Sequence, residues 1–315
     1  MQFWPRVKAK RIYPSLSIKK ISKVPPGLFG FAGYKVGMTH ILAIDSRKHT
    51  TTKGEEISVP VTVVECPPLK VIGLRFYRQG NYGIEAKKDV LFSKDKHLDR
   101  VLSLPKTLSH DLSQIPLADF SSITLLVATQ PHLAGIMKKT PEIFEVPIGG
   151  SPEENKAFAE QHINKEILLQ NVFKEGELVD THAVSKGKGL QGPVKRFGVS
   201  LRSHKSEKTK RGPGSLGPWS GQAHIMYRVA HAGQMGFHTR TEYNKQIVKI
   251  GNAPQEVNVK GGFLNYGNVK NTFILIKGSV TGARKRLVLF SKPSRAHAQI
   301  PVPTLQSINV SSKQG

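Results

Sequence analysis

The chain is 315 residues long and sets 47 Lys and Arg against 22 Asp and Glu, a formal net charge of +25. A lone domain with that imbalance repels itself, so the composition calls for a polyanionic partner, nucleic acid ahead of an anionic membrane. A single cysteine, Cys66, excludes an internal disulfide and a cysteine-based zinc site and fits a reducing cytoplasm; no apolar run approaches a membrane span. The basic N-terminus lacks the apolar segment of a secretory signal, and no basic amphipathic surface helix is evident.

The charge is unevenly placed. From Glu85 to Asp180 there are 15 acids and 11 bases, which leaves 36 bases and 7 acids for the rest. No acid precedes Asp45 and none follows Glu256. The near-neutral segment is expected to face water or other proteins, and the remainder to touch anions.

Residues 1–26 read as a basic arm carrying Trp4, Arg6, Lys8, Lys10 and Arg11, in which prolines prevent a continuous helix. Such an arm is either a solvated terminus or a segment that orders on nucleic acid. Phe3, Trp4 and Tyr13 favour the second, because aromatic rings stack on bases while Arg and Lys meet phosphates. Residues 27–81 read as the first part of a β-barrel: a strand-rich stretch to Asp45, a hairpin loop, the alternating ISVPVTVVEC from Ile57, and LKVIGLRFYR from Leu69. Residues 82–176 read as an α/β insertion with a small core of its own. SSITLLVAT from Ser121 is a buried strand, and Ser151-Pro152-Glu153-Glu154 is a capping box that starts a helix.

The strand signal returns over 177–194 and breaks for a basic excursion over 195–244. It resumes over 245–291, and 292–315 read as an extended, proline-punctuated tail without a core. Short strands with glycine turns and no alternating helices argue for a closed barrel rather than a doubly wound sheet. The expected fold is mainly β, a closed barrel with an α/β insertion, a long basic extension and extended termini.

From Val184 to Lys245 the chain is crowded with Lys, Arg and Gly, and its only acids are Glu207 and Glu242. It shows no lasting apolar period, so it builds no core, and an anion must supply the stabilisation that burial does not. Compact RNA is the expected anion. Lys186, Lys188, Lys195 and Arg196 flank glycines, which let backbone approach phosphate closely. SKGKGLQG is not a nucleotide-binding P-loop, because that needs GxxxxGK followed by Ser or Thr. Arg202, Lys205, Lys208, Lys210 and Arg211 form the densest cationic run. An excursion out and back from Lys195 to Tyr243 reaches at most about 80 Å at ~3.3 Å per residue. Trp219 has no apolar neighbours in sequence and is expected to pack on RNA. His224, His231 and His238 recur at a fixed interval but lack an acid or cysteine to complete a metal site. His231 and His238 are read as RNA contacts, with Arg228, Gln234, Arg240 and Lys245 on phosphates and 2′-hydroxyls. Arg284, Lys285 and Arg286 add a basic turn between the last strands.

Several stretches together resemble the universal large-subunit ribosomal protein L-three family, in its archaeal and eukaryotic branch. They are FAGYKVGMTH near Phe31, VSKGKGLQGPVKRFG near Val184, LGPW from Leu216, AGQMGFHTRTEYNK from Ala232, and GGFLNYGNVKNTFILIKGSVTGARKRLV from Gly261. The resemblance implies that the closed β-barrel is of the translation-protein type and packs on large-subunit rRNA. It also implies a central extension running towards the peptidyl transferase region, with Trp219 at its tip. Relatives carry a longer basic leader before the step that matches Phe3-Trp4-Pro5-Arg6, and Met1 stands where that leader would end. The expected partners are large-subunit rRNA and neighbouring ribosomal proteins, with no membrane and no small-molecule substrate. No cofactor is expected beyond Mg2+ or K+ ions that accompany rRNA. An RNA-modifying enzyme would need an acid or base in the excursion, where only Glu207 and Glu242 stand. A DNA-compacting protein would bind duplex DNA as tightly as structured rRNA, yet no recognition helix is visible.

Overall fold

The structure, a computed structural model, describes residues 5–16, 27–105, 116, 119–163, 165–218, 225–295 and 300–312. In chain order the strands begin with β1 (Gly27–Leu28), β2 (Gly30–Ile44), β3 (Glu56–Glu65), β4 (Leu69–Gly80), β5 (Gly83–Leu91), β6 (Ser122–Ala128), β7 (Ile143–Gly149) and β8 (Glu166–Ile167). They continue with β9 (Leu178–Val184), β10 (Leu190–Gln191), β11 (Gly233–Gln234), β12 (Thr239–Gly251), β13 (Phe273–Lys277), β14 (Leu287–Ser291) and β15 (Thr304–Ile308). The helices are α1 (Pro152–His162) and α2 (Pro193–Phe197).

One sheet has the order β14-β9-β12-β13-β3-β2-β15, all antiparallel, and β14 also pairs β2. The hydrogen-bonded path from β14 through β9, β12, β13, β3 and β2 thus returns to its start, giving a ring-like sheet. The expected hairpin between Asp45 and Ile57 joins β2 to β3. Asp45 organises its loop, accepting from Arg47 Nη2 at 2.7 Å and from the Thr50 and Thr52 hydroxyls. These donors, Arg47 foremost, hold its carboxyl well below the usual carboxylate range.

LKVIGLRFYR does not join this ring as expected. It is β4, the middle of a second sheet ordered β1-β7-β6-β4-β5, with β8 also on β4. Pro67-Pro68 explains the departure: without amide donors there the chain leaves the first sheet after β3. A register shift against β6 between Val71 and Gly73 turns Leu69, Val71, Leu74 and Phe76 towards one face. Ile72 joins a small cluster with Leu98, Leu126 and Ala128 on the other. The larger face packs directly on the ring. Phe31, Val63, Phe273 and Phe290 share one continuous core with Leu74, Leu125, Val146 and Phe173, so the insertion does not have a separate main core.

The junction is polar as well as apolar. Tyr34 donates to Glu142 Oε2 at 2.6 Å, and Tyr266 donates to Glu65 Oε2. Glu65 Oε1 accepts from the Lys270 and Asn271 amides at 2.8 and 2.9 Å and from Asn271 Nδ2 at 2.8 Å. These bonds satisfy a fully buried carboxylate and pin the loop after Asn258 over the ring. Burial first, then the facing carboxylate, pushes both phenols far up, so they remain donors. The capping box at α1 forms as the sequence predicts: Ser151 Oγ accepts from the Glu154 amide, and Glu154 Oε2 accepts from the Ser151 amide. The tail is not coreless. β15 pairs with Ile41–Ile44 of β2, and Leu305 and Ile308 pack against the core.

Candidate nucleic-acid interface

The basic excursion begins as a continuation of the ring. β9 and β12 pair out to Val184 and Thr239, and the ribbon runs on beyond them. The Ser185 amide bonds His238 O at 2.9 Å, Lys188 bonds Met235 O at 3.0 Å, and β10 pairs β11. The expected boundaries at 195 and 244 therefore shift: the ribbon leaves the ring at 185 and rejoins it at 239. The ribbon narrows at Gly236, at φ 71°, where a Cβ would stand 2.1 Å from Lys186 O. At its outer end lies α2, capped by Gly192, opened by Pro193 and closed by Gly198 at φ 71°. GPVKRFG carries this N-terminal proline and C-terminal glycine in plain view, and it was the signal for a helix that charge patterning alone conceals.

The N-terminal arm docks against this root. The Ala9 amide donates to Phe237 O at 2.8 Å, and His238 Nδ1 donates to Val7 O at 2.8 Å. Arg6 Nη1 donates to Arg196 O at 2.7 Å. The Arg6 and Arg196 guanidiniums lie 4.4 and 5.0 Å from the Phe197 ring centroid, a cation–π role the sequence reading missed. Arg196 also donates to Gln234 O at 3.1 Å and His231 O at 2.9 Å, tying the two sides of the loop together. Further along the arm, Tyr13 donates to Ile143 O at 2.8 Å, and Leu16 is buried in the core.

The basic turn lies beside the same root. Lys35 fixes it with every polar group it has. Its amide bonds Arg286 O, its carbonyl accepts from Lys285, and Nζ donates to Val280 O and to Gly282 O. Arg286 is half-buried over the Phe237 ring at 5.4 Å, while Arg284 and Lys285 stay exposed. Glu242 accepts from the Thr281 hydroxyl and pairs with Lys245 Nζ at 3.1 Å. It is spent on holding the turn to β12 and is not poised as an acid or base.

The predicted contact residues differ in exposure. Lys8, Lys10, Arg11, Lys186, Lys188, Lys195, Arg202, Lys205, Lys208, Lys210, Arg211, Arg228, His231, Arg284 and Lys285 are exposed. His238 is buried and used within the protein, and Gln234 donates to Gly236 O at 2.9 Å. Arg6, Arg196, Arg240, Lys245 and Arg286 are half-buried around the root. Trp4, Trp219 and His224 lie outside the described residues.

The root concentrates positive charge. Burial and then Arg6 draw both Arg196 and Arg240 below the ordinary arginine range, and burial does the same to Arg286. Guanidiniums crowded this way are stabilised by a bound anion. Beyond the root, the backbone hydrogen bonds of 200–218 among the described residues stay within the span, such as Arg202 N to Lys210 O at 3.2 Å. Among the described residues, Lys186, Lys188, Lys195, Arg202, Lys205, Lys208, Lys210 and Arg211 enter none of the ion pairs. Among those residues, too, no three His, Cys, Asp or Glu side chains gather as a metal site, and no helix is long and apolar enough to cross a membrane.

A β-rich body that projects a cationic, acid-poor loop from an ordered root belongs to the class of proteins built to sit against a polyanion. The chain belongs to the ribosomal protein L3 family, whose model matches residues 1–315. It is 43% identical over 326 residues to the large ribosomal subunit protein uL3 of Methanosphaera stadtmanae, covering 99% of this chain and 96% of that one. The uL3 proteins of Archaeoglobus fulgidus and Pyrobaculum arsenaticum are each 42% identical, over 100% of this chain and 97% and 96% of theirs. Members of this family are structural proteins of the ribosome rather than enzymes.

Proposed function

We propose that the chain is a structural constituent of the cytoplasmic large ribosomal subunit that binds and stabilises large-subunit rRNA and supports subunit assembly and translation. The ring-like sheet acts as a closed translation-type barrel docked on the RNA, beside neighbouring ribosomal proteins. The extension from 185 to 238 enters the rRNA and runs towards the peptidyl transferase region, with Trp219 at its tip. The reading rests on one observation: among the described residues, no acid pairs with the cations of the loop beyond α2. Phosphates placed there would complete them, and the crowded root arginines, Arg6, Arg196 and Arg240, would gain most from an added anion. Exposed Lys186, Lys188, Lys195, Arg202, Lys205, Lys208, Lys210, Arg211 and Arg228 are the phosphate contacts in this reading, with Arg284 and Lys285 adding a second strip beside the root. The protein needs no cofactor of its own, and Mg2+ or K+ belongs to the RNA.

Sedimentation of native lysate through sucrose at low and high salt tests this. Retention with the large subunit at high salt is expected, because a loop enclosed by RNA resists the counterion competition that strips loosely held cations. A chain that runs free at its monomer mass would overturn the reading.

A further inference from the structure

Where the near-neutral segment begins, β4 and β5 outrun their sheet. Tyr77, opposite Ser122, is the last residue of β4 paired to β6, whereas β4 and β5 stay paired out to Gly80 and Gly83. Residues 78–85 therefore project as a two-stranded hairpin turned by Asn81 and Tyr82, with Gly83 at φ 129°. β5 is exposed along 84–89, so among the described residues neither of its faces is buried there. Tyr82 is 101% exposed. Arg78, Lys87 and Lys88 are exposed further down the two strands. The nearby acids are partly spent: Asp89 is held by Arg75 at 2.6 Å, and Glu85 lies 3.8 Å from Lys87. A two-stranded ribbon wet on both faces is marginal alone, and a fully exposed tyrosine adds nothing to the free fold.

We propose that the β4–β5 hairpin is a second RNA-contact element, in which Tyr82 stacks on an unpaired base of large-subunit rRNA while Arg78, Lys87 and Lys88 meet the flanking phosphates. The proposal rests on the ribosomal reading above and adds an RNA contact where the near-neutral segment begins. RNA fits better than a protein partner. Tyr82 and Ile84 are the exposed large apolar side chains at the tip, too little for the core of a protein interface. One exposed ring on a ribbon that also carries cations suits a splayed-out base. The lysines also guard β5 against pairing with another chain, but that role needs no tyrosine.

Cys66 is buried, so Tyr82→Cys introduces an accessible thiol that can be labelled selectively. Full-length Tyr82→Cys carrying an iron–EDTA label is assembled into large subunits, which are then isolated at high salt. Hydroxyl-radical cleavage confined to a discrete rRNA stretch is expected, together with slowed maleimide labelling of the unlabelled variant in the subunit. Tyr82→Ala should weaken binding to the rRNA segment so mapped about tenfold, and Tyr82→Phe should retain it, since stacking needs the ring and not the hydroxyl. Uncut rRNA with a thiol as reactive as in the free chain overturns the proposal. Uncut rRNA with a protected thiol also overturns it, in favour of a protein neighbour. A chain that does not enter the subunit at all overturns the ribosomal reading and the hairpin proposal with it.

Discussion

His182 bridges three strands of the ring. Its Nδ1 meets Thr241 Oγ1 at 3.0 Å and its Nε2 meets Ser291 Oγ at 2.9 Å, linking β9 to both β12 and β14. Burial draws its pKa below the ordinary 6.5, with Asp180 opposing more weakly. Above pH 6.5 the imidazole is neutral whether the chain is folded or not, and its contribution is complete. As pH falls below 6.5 the unfolded chain takes up the proton first, so stability declines until the lower folded value is passed. The slope from this one group is at most about 1.4 kcal/mol per pH unit. Urea midpoints measured from pH 7 to pH 5 should fall, and His182→Gln should flatten the fall. An unchanged slope in the variant would remove His182 from the account.

At the scale of elements, the placement of β4 decides how the two sheets meet. Gly73 sits at its register shift, where an added Cβ would stand 2.3 Å from Val90 O on β5. Backbone cannot yield as a side-chain tip can, so Gly73→Ala should push β5 off β4 and cost about 2 kcal/mol or more in a denaturation curve. Gly54 faces open space at φ 81° in the β2–β3 loop, and Gly54→Ala should cost less, through backbone strain alone. Equal losses at the two sites would contradict the close approach. These elements were unequally legible. The alternation of ISVPVTVVEC and the capping box at Ser151 announce β3 and α1, because local period and local hydrogen bonds decide them. GIEAKKDVL conceals β5, because a strand exposed along most of its length shows no apolar alternation.

For the whole molecule, the body and the extension are held by different physics. The body has a continuous apolar core, whereas the loop beyond α2 bonds within itself and carries Arg202, Lys205, Lys208, Lys210 and Arg211 exposed. Replacing 200–218 by a Gly/Ser linker of equal length should leave the urea midpoint of the free protein nearly unchanged. The same replacement should lower the magnitude of the salt slope for rRNA binding by about 4, from the loss of these phosphate partners. A large loss of stability would show that the loop belongs to the body, and an unchanged slope would show that its cations do not meet phosphate.

The sequence by itself determined the chemistry. Charge placement and the acid-poor stretch between Val184 and Lys245 call for an anionic partner, and the ordered motifs mark the ribosomal family, because net charge and motif spacing survive in one dimension. It also determined most ring strands, through alternation and β-branching. Only the tertiary structure decided that β4 leaves the ring, that the two sheets share a core, and that the arm docks on the extension's root through Val7 and Ala9. It likewise turned His238 and Gln234 inward to the protein's own carbonyls. These outcomes depend on pairing between residues far apart in the chain. A side chain's period records whether it is buried, but not which distant strand or carbonyl buries it.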